Sequence, residues 1–309
     1  MQTLKGLIVP LPAPFLDKSL DLMMLERVVK YCTDAGVNQF IFGGTTTEGM
    51  HLQPTELVIA CRTICGIVPK SVLLMGLLEK SEEQIVETIK ELRKAEESFP
   101  EVCDGFLLAP SFDWTNDIYG KCLDILAEIP SPVFLYSLPP NFYPDKETCP
   151  LYYDQIDFYA ETYPLVEAVK HASTDTLRDL FMEDVPINLF CGSDFAVGEA
   201  LDFCDGCVSA GALLMPREFV QVSVGFGNVS YDDKKRAKKL FDADVLPKLR
   251  ICFSGLKPPE VVFLVKLFLR EKGLIFNAYS RYYSAYHQIS GNLKNEPELR
   301  KRLIEAGLI

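Results

Sequence analysis

The segment QFIFGGTTTEGMHLQPTELVIACRTICGIVPKSVLLMG, residues 39–76, contains one complete strand–helix–strand unit. An apolar run over residues 39–43 predicts a strand, and an amphipathic stretch entered through Pro54 predicts a helix over residues 53–67. A second apolar run over residues 72–76 predicts the next strand. Parallel strands need a long crossover between them, and this helix supplies one. The segment therefore indicates a parallel sheet.

The same alternation of short apolar runs and longer amphipathic stretches continues on both sides of this segment. Eight strands are predicted in all, over residues 6–9, 39–43, 72–76, 105–109, 133–136, 165–170, 187–191 and 207–210. Eight strands separated by helices favour a closed barrel. The Gly-x-Gly-x-x-Gly turn typical of a doubly wound open sheet is missing after the first strand.

We therefore predict an α/β protein with a (β/α)8 TIM barrel over residues 1–215. Residues 216–309 are predicted to hold the last barrel helix and a C-terminal helical extension, with an apolar helix over residues 261–269. The C-terminal helices are expected to cover the flank of the barrel or an oligomer interface.

The charge of the chain excludes some partners. It has 309 residues, with 31 Lys and Arg against 43 Asp and Glu, and a formal net charge of −12 at pH 7. This acidic balance argues against binding to nucleic acid or to anionic membranes, both of which attract basic surfaces. No apolar run is long enough to span a bilayer, and no signal peptide is recognisable at the N-terminus. We expect a cytoplasmic protein.

The ten cysteines do not predict a disulfide framework or a metal site. Most lie inside apolar segments, where a reduced cysteine behaves as a small hydrophobic residue. Cys204 and Cys207 have CxxC spacing, but a zinc site needs four ligands and no second pair accompanies them. We expect no metal.

Barrel enzymes carry their catalytic groups at the carboxyl ends of the strands. The sixth predicted strand ends in Lys170, on the same face as Val166 and Ala168 by the period-two alternation of strands. Partial desolvation of such a lysine favours the neutral amine, which attacks carbonyl groups. The alternative is a lysine whose ammonium group extends into water.

The second predicted strand ends in Gly43-Gly44-Thr45-Thr46-Thr47-Glu48-Gly49. Backbone N–H groups and hydroxyls can converge on an anion there, close to the N-terminus of the next helix. The loop lacks the lysine of a nucleotide-binding P-loop, so a carboxylate is the expected ligand. The alternative is a turn rich in small residues.

Two further strand ends carry polar side chains. Tyr136 ends the fifth strand and could relay a proton, or could be a core tyrosine with one hydrogen bond. Ser193 and Asp194 follow the seventh strand and could contact substrate hydroxyls, or could cap the following helix.

These features occur in a defined order: Gly-Gly-Thr-Thr-x-Glu, Tyr-x-x-Pro, an apolar strand ending in lysine, and Gly-Ser-Asp. The order resembles the dihydrodipicolinate synthase / N-acetylneuraminate lyase superfamily of class I pyruvate-dependent aldolases, from Gly6 through residues 257–275. The resemblance implies that Lys170 forms a Schiff base with the substrate and that Tyr136 carries protons. It also implies that Gly44, Thr45 and Thr46 bind the carboxylate of the substrate, and that Ser193 and Asp194 bind the substrate tail. Thr46 is counted among the catalytic residues as well.

The sequence also departs from the superfamily pattern. Asn141 stands where the synthases usually carry an arginine that binds the carboxylate of the aldehyde. Phe112 stands where a tyrosine completes a hydroxyl relay, and Thr47 replaces a usual glycine. These changes suggest an aldehyde less anionic than aspartate semialdehyde, since an amide cannot replace a bidentate guanidinium.

The resulting prediction is a Schiff-base-forming lyase or aldolase that acts on pyruvate or a pyruvate-derived 2-keto acid, with an aldehyde as the other reactant. Two alternatives remain open: a 4-hydroxy-tetrahydrodipicolinate synthase, and a non-catalytic barrel that binds keto acids. The resemblance implies a homo-oligomer, tetramer or dimer, and a reaction without cofactor beyond the covalent Schiff base on Lys170.

Overall fold

The computed structural model describes residues 4–17, 19–69, 71–96, 102–109, 118–129, 131–138, 151–172, 174–183, 185–281 and 295–309. Its centre is a closed barrel of eight parallel strands, which confirms the predicted fold. Each strand pairs with its neighbours in sequence, and the last strand pairs with the first. The strands are β1 (Gly6–Pro10), β2 (Gln39–Phe42), β3 (Val72–Leu78), β4 (Gly105–Ala109), β5 (Val133–Ser137), β6 (Val166–His171), β7 (Asn188–Cys191) and β8 (Gly206–Val208).

Helices surround the barrel and follow the strands. They are α1 (Leu22–Asp34), α2 (Pro54–Ile67), α3 (Glu82–Glu96), α4 (Ile118–Leu126), α5 (Tyr153–Thr162), α6 (Thr174–Met182), α7 (Val197–Ala200), α8 (Pro216–Ser223), α9 (Tyr231–Leu240), α10 (Leu246–Phe253), α11 (Pro258–Glu271) and α12 (Glu296–Glu305). A π-helical turn, Phe241–Val245, joins α9 to α10. A short antiparallel pair, Phe15–Leu16 with Ser19–Leu20, follows β1.

The strands are buried on both faces because their alternate side chains point to two different cores. Ile41, Phe134 and Ala168 belong to the cluster that fills the inside of the barrel. Val169 belongs to the larger cluster between strands and helices. The alternation along β6 therefore puts Lys170, two residues after Ala168, on the inner face at the carboxyl end of the barrel.

The cysteines in the described ranges are all free thiols. Cys204 and Cys207 are buried, and burial raises the pKa of both thiols above the ordinary value. No group of three or more His, Cys, Asp or Glu residues within the described ranges could hold a metal ion. No helix among the described residues is both long and apolar enough to cross a membrane.

Candidate active site

A cavity of about 320 Å³ opens at the carboxyl ends of the strands. Its polar lining comes from four strand ends, as expected for a barrel enzyme. The lining includes five of the seven residues that the sequence singles out: Thr45, Thr46, Tyr136, Lys170 and Asp194. Gly44 and Ser193 lie next to lining residues in the chain but do not line the cavity.

Lys170 and Tyr136 are brought together by strand register. They are direct partners in the β5–β6 pairing, and the Lys170 Nζ atom lies 3.7 Å from the centroid of the Tyr136 ring. Only 7% of Lys170 and 3% of Tyr136 are exposed. An ammonium group over an aromatic face is attracted by the ring quadrupole, so this contact orients the amine. The backbone of Tyr136 is held in turn by the Tyr119 hydroxyl, which donates to the Tyr136 carbonyl at 2.8 Å.

Gly192 gives the lysine its space, a role that the sequence analysis did not assign. A Cβ atom at this position would lie 2.9 Å from Cε and 3.3 Å from Cγ of Lys170. Gly192 directly follows β7, which neighbours β6 in the barrel. The sequence could have indicated this role, because Gly192 immediately follows the predicted strand that neighbours the strand of Lys170.

The β2–α2 loop, residues 43–49, brings two threonine hydroxyls to the cavity. The loop is a tight turn: Gly43 has φ +110° and Glu48 has φ +63°, both in the left-handed region. The Gly49 amide donates to the Gly44 carbonyl at 3.0 Å, and the Glu48 amide donates to the Thr45 carbonyl at 3.0 Å. These bonds fix the path of the backbone through the two threonines.

Thr45 presents a hydroxyl that is available for a ligand. Its Oγ1 atom is buried and has no hydrogen-bond partner among the described residues. A buried hydroxyl without a partner destabilises the fold, so a ligand oxygen at this point would satisfy it. Thr47, by contrast, donates to the Leu11 carbonyl at 2.6 Å and so braces the loop against the segment after β1.

Asp194 lines the cavity but is also tied to the end of β8. Its Oδ1 atom accepts hydrogen bonds from the Ser209 hydroxyl and from the Gly211 amide, the latter at 2.9 Å. Burial raises the pKa of this carboxyl, while those two bonds and the charge of Lys170 act in the opposite direction. Asp194 therefore joins β7 to β8 at the rim as well as facing the cavity.

An apolar wall closes the cavity on the side away from the strands. It is formed by Leu256 and by the first turns of α11, with Pro258, Val261 and Val262. The sequence analysis expects the C-terminal helices to cover the flank or an oligomer interface; α11 in addition lines the cavity. This helix begins at Pro258, three residues earlier than predicted, because proline is well tolerated in the first turn of a helix.

The arrangement suits a small carbonyl compound that carries a carboxylate. An amine and a phenol stand side by side, threonine hydroxyls lie at the end of β2 on the other side of the barrel, and one wall is apolar. The two departures that bear most on the aldehyde, Phe112 and Asn141, lie outside the described residues.

Comparison with known proteins finds relatives in sequence and in fold. No protein-family model matches the chain. The 4-hydroxy-tetrahydrodipicolinate synthase of Rickettsia bellii is 28% identical over 221 residues, which cover 69% of this chain and 71% of that protein. The enzyme of the same name from Bdellovibrio bacteriovorus is 26% identical over 235 residues, 72% of this chain and 74% of that protein.

Solved structures show the same fold over nearly the whole chain. The dihydrodipicolinate synthase from Acinetobacter baumannii, complexed with pyruvate, has a TM-score of 0.78 at 23% identity and covers 99% of this chain and 100% of that one. YagE from E. coli K12, a prophage protein of the dihydrodipicolinic acid synthase family in complex with pyruvate, has a TM-score of 0.80 at 18% identity, with 99% of each chain covered.

Barrel, cavity and relatives together define a class: a carbon–carbon lyase of the class I aldolase type. The curated relatives and the shared fold support the resemblance to the dihydrodipicolinate synthase / N-acetylneuraminate lyase superfamily that the sequence shows.

Proposed function

We propose that this protein is an aldolase or lyase whose Lys170 forms a Schiff base with pyruvate or a pyruvate-derived 2-keto acid. The observation that carries the proposal is the contact between the Lys170 amine and the Tyr136 ring inside a cavity that Thr45 and Thr46 also line. The pyruvate complexes of two proteins with the same fold support the choice of keto acid.

In the proposed reaction the neutral Lys170 amine attacks the ketone carbon, and loss of water gives an imine. The protonated imine withdraws electrons from the adjacent carbon. That carbon then loses a proton, or an aldehyde leaves by retro-aldol cleavage, and either step gives an enamine. Tyr136 is in position to donate or accept the proton that accompanies carbon–carbon cleavage. The imine nitrogen is itself the electron sink, so we propose that no metal or organic cofactor takes part.

The threonines are proposed to orient the substrate. The unpartnered Thr45 hydroxyl and the neighbouring Thr46 would hold the carboxylate, and with it the distance from the ketone carbon to Lys170 Nζ. Orientation of this kind contributes to the rate because the reacting atoms begin close to their attack geometry.

The other reactant is proposed to be a neutral aldehyde. Among the described lining residues Lys170 is the one cationic side chain, and the wall formed by Leu256, Val261 and Val262 is apolar. A second candidate, 4-hydroxy-tetrahydrodipicolinate synthase, is favoured by the names of the relatives. Steady-state assays across aldehydes separate the two: a clear preference for aspartate semialdehyde would establish the synthase and refute the neutral aldehyde.

The Schiff base is tested by intact-protein mass spectrometry after incubation with pyruvate and sodium borohydride. We expect a reduced adduct on the wild type, mapped by peptide digestion to Lys170 and absent from Lys170→Ala. Lys80→Met is the matched control, because Lys80 is a second buried strand-end lysine and does not line the cavity. A folded wild-type protein without adduct would remove pyruvate from the proposal, and binding without turnover of any aldehyde would favour the non-catalytic barrel.

Assembly and location belong to the same proposal. A tetramer or dimer is expected from the resemblance, and sedimentation velocity measures it directly. Cell fractionation tests the predicted cytoplasmic location.

A further inference from the structure

Directly behind the β2–α2 loop lies a group of four charged side chains that is separate from the catalytic cavity. Glu48 of the loop forms an ion pair with Lys266 of α11, and both side chains are 0% exposed. Beside them Glu56 of α2 forms a two-pronged ion pair with Arg281, at 2.7 and 2.8 Å. Both cations also lie over the ring of Phe15, Lys266 Nζ at 4.5 Å and Arg281 Cζ at 4.3 Å from its centroid.

Glu48 is connected to the ligand-binding part of its loop through the backbone. The backbone of Glu48 is in the left-handed region, a conformation that a glutamate adopts only when its surroundings hold it there. Its amide is bonded to the Thr45 carbonyl. Any displacement of Glu48 therefore moves Thr45, whose hydroxyl is available for the carboxylate.

Further hydrogen bonds anchor the Glu48–Lys266 pair on the opposite side. The Ser280 hydroxyl donates to Oε2 of Glu48 at 2.9 Å, and Lys266 Nζ also donates to the Tyr279 carbonyl at 2.9 Å. Lys266 lies on the helix whose first turns supply Val261 and Val262 to the cavity wall. The ion pair thus joins the loop that carries the threonines to the helix that closes the cavity.

A buried ion pair is not needed for stability, because well-packed apolar residues of similar size often do as well or better. Removal of one partner alone is harmful, since it leaves the other charge buried without compensation. What the pair provides beyond stability is a fixed distance and direction between two elements.

We propose that Glu48 and Lys266 are positioning residues that hold Thr45 and Thr46 at the place where the carboxylate of the keto acid binds. This inference rests on the proposed function, because it gives the pair a role in keto-acid binding. Neither residue contacts the substrate; both act through the geometry of the loop.

The test uses Glu48→Gln, Lys266→Met and the double variant that carries both changes. Each protein is titrated with pyruvate in the presence of borohydride to find the half-saturating concentration, and its melting temperature is recorded. We expect the single variants to lose stability. Their half-saturating pyruvate concentration should rise about tenfold or more, since a small misplacement of the binding groups strongly weakens the orientation of the substrate. We expect the double variant to regain melting temperature while its half-saturating concentration stays raised.

Arg270→Met is the matched control, because it breaks an ion pair of the same helix, the one with Glu296 at 2.6 Å, and none of the ion pairs of Arg270 among the described residues involves the loop. Its half-saturating concentration should equal that of the wild type. A wild-type value in the double variant, or an equal rise in Arg270→Met, overturns the positioning role. If neither single variant folds, the double variant carries the test. A wild type that traps no keto acid overturns the proposed function and this inference together.

Discussion

Replacement of Gly192 by alanine perturbs the reactive amine with a single methyl group. The added Cβ would lie 2.9 Å from Lys170 Cε and 3.2 Å from the His171 carbonyl oxygen. Carbon atoms pack at roughly 3.5 Å or more, so Cε must move by at least about 0.6 Å. The atom that moves is the far end of a flexible side chain, and the amine moves with it.

The expected effect on stability is therefore small and the effect on chemistry large. Overpacking of this kind costs about 1 kcal/mol at its mild end, which for a chain of 309 residues corresponds to a fall of about 1–2 °C in melting temperature. Misplacement of a reacting atom by up to about 1 Å can reduce the rate about 100-fold. We expect the rate of Schiff-base formation to fall between about 10-fold and 100-fold.

The assay is the time course of borohydride-trapped pyruvate adduct, read by intact-protein mass spectrometry, together with thermal unfolding by circular dichroism. Gly66→Ala on α2 is the matched control, because among the described residues no atom beyond its chain neighbours and its own helix backbone lies within 4 Å of the added Cβ. It should react at the wild-type rate and melt slightly higher, since alanine is the better helix former. A Gly192→Ala protein that reacts at the full rate would refute the packing argument.

Three further predictions concern single residues. Tyr136→Phe keeps the aromatic contact with the Lys170 amine, so we expect it to trap pyruvate; turnover with an aldehyde should fall by about 100-fold or more in steady-state assays, because the proton donor is gone. Thr45→Val removes a buried hydroxyl that has no partner among the described residues; thermal unfolding should show unchanged or higher stability, by about 1 kcal/mol, while the half-saturating pyruvate concentration rises. Burial lowers the pKa of Lys80 to about 8 in the folded protein. Between about pH 8 and 10.5 the unfolded chain therefore binds more protons than the folded protein, and the free energy of unfolding rises with pH across this window. The free energy of unfolding of the wild type relative to Lys80→Met should therefore increase by up to about 3 kcal/mol from pH 8 to 10.5, as measured by denaturant titration; a pH-independent difference would show that Lys80 is not desolvated.

The barrel was predictable from the sequence because period-two burial and strand–helix alternation are local patterns. Strand ends converge in any parallel barrel, so Lys170, Tyr136 and Thr45 could be placed in one site before any coordinates. Whether Ser193 or Asp194 faces the cavity depends on the path of one short turn, which the pattern does not determine.

The rest of the site depends on contacts between distant parts of the chain. The apolar wall of Val261 and Val262 comes from a helix that follows the last strand, and no local pattern indicates where that helix packs. The ion pair between Glu48 and Lys266 joins residues 218 positions apart. In the sequence, the single lysine of the apolar helix α11 indicates a solvent-facing side of the helix, although Lys266 is completely buried.

The distance between these two partners also has a consequence for synthesis. Glu48 leaves the ribosome well before Lys266, and at 5–20 residues per second the delay is roughly 10–40 s. During that interval a nascent chain can already contain all eight strands, the catalytic lysine and both threonines. It still lacks the cation that holds the threonine loop in place, so catalytic competence should come with the emergence of α11 rather than with closure of the barrel.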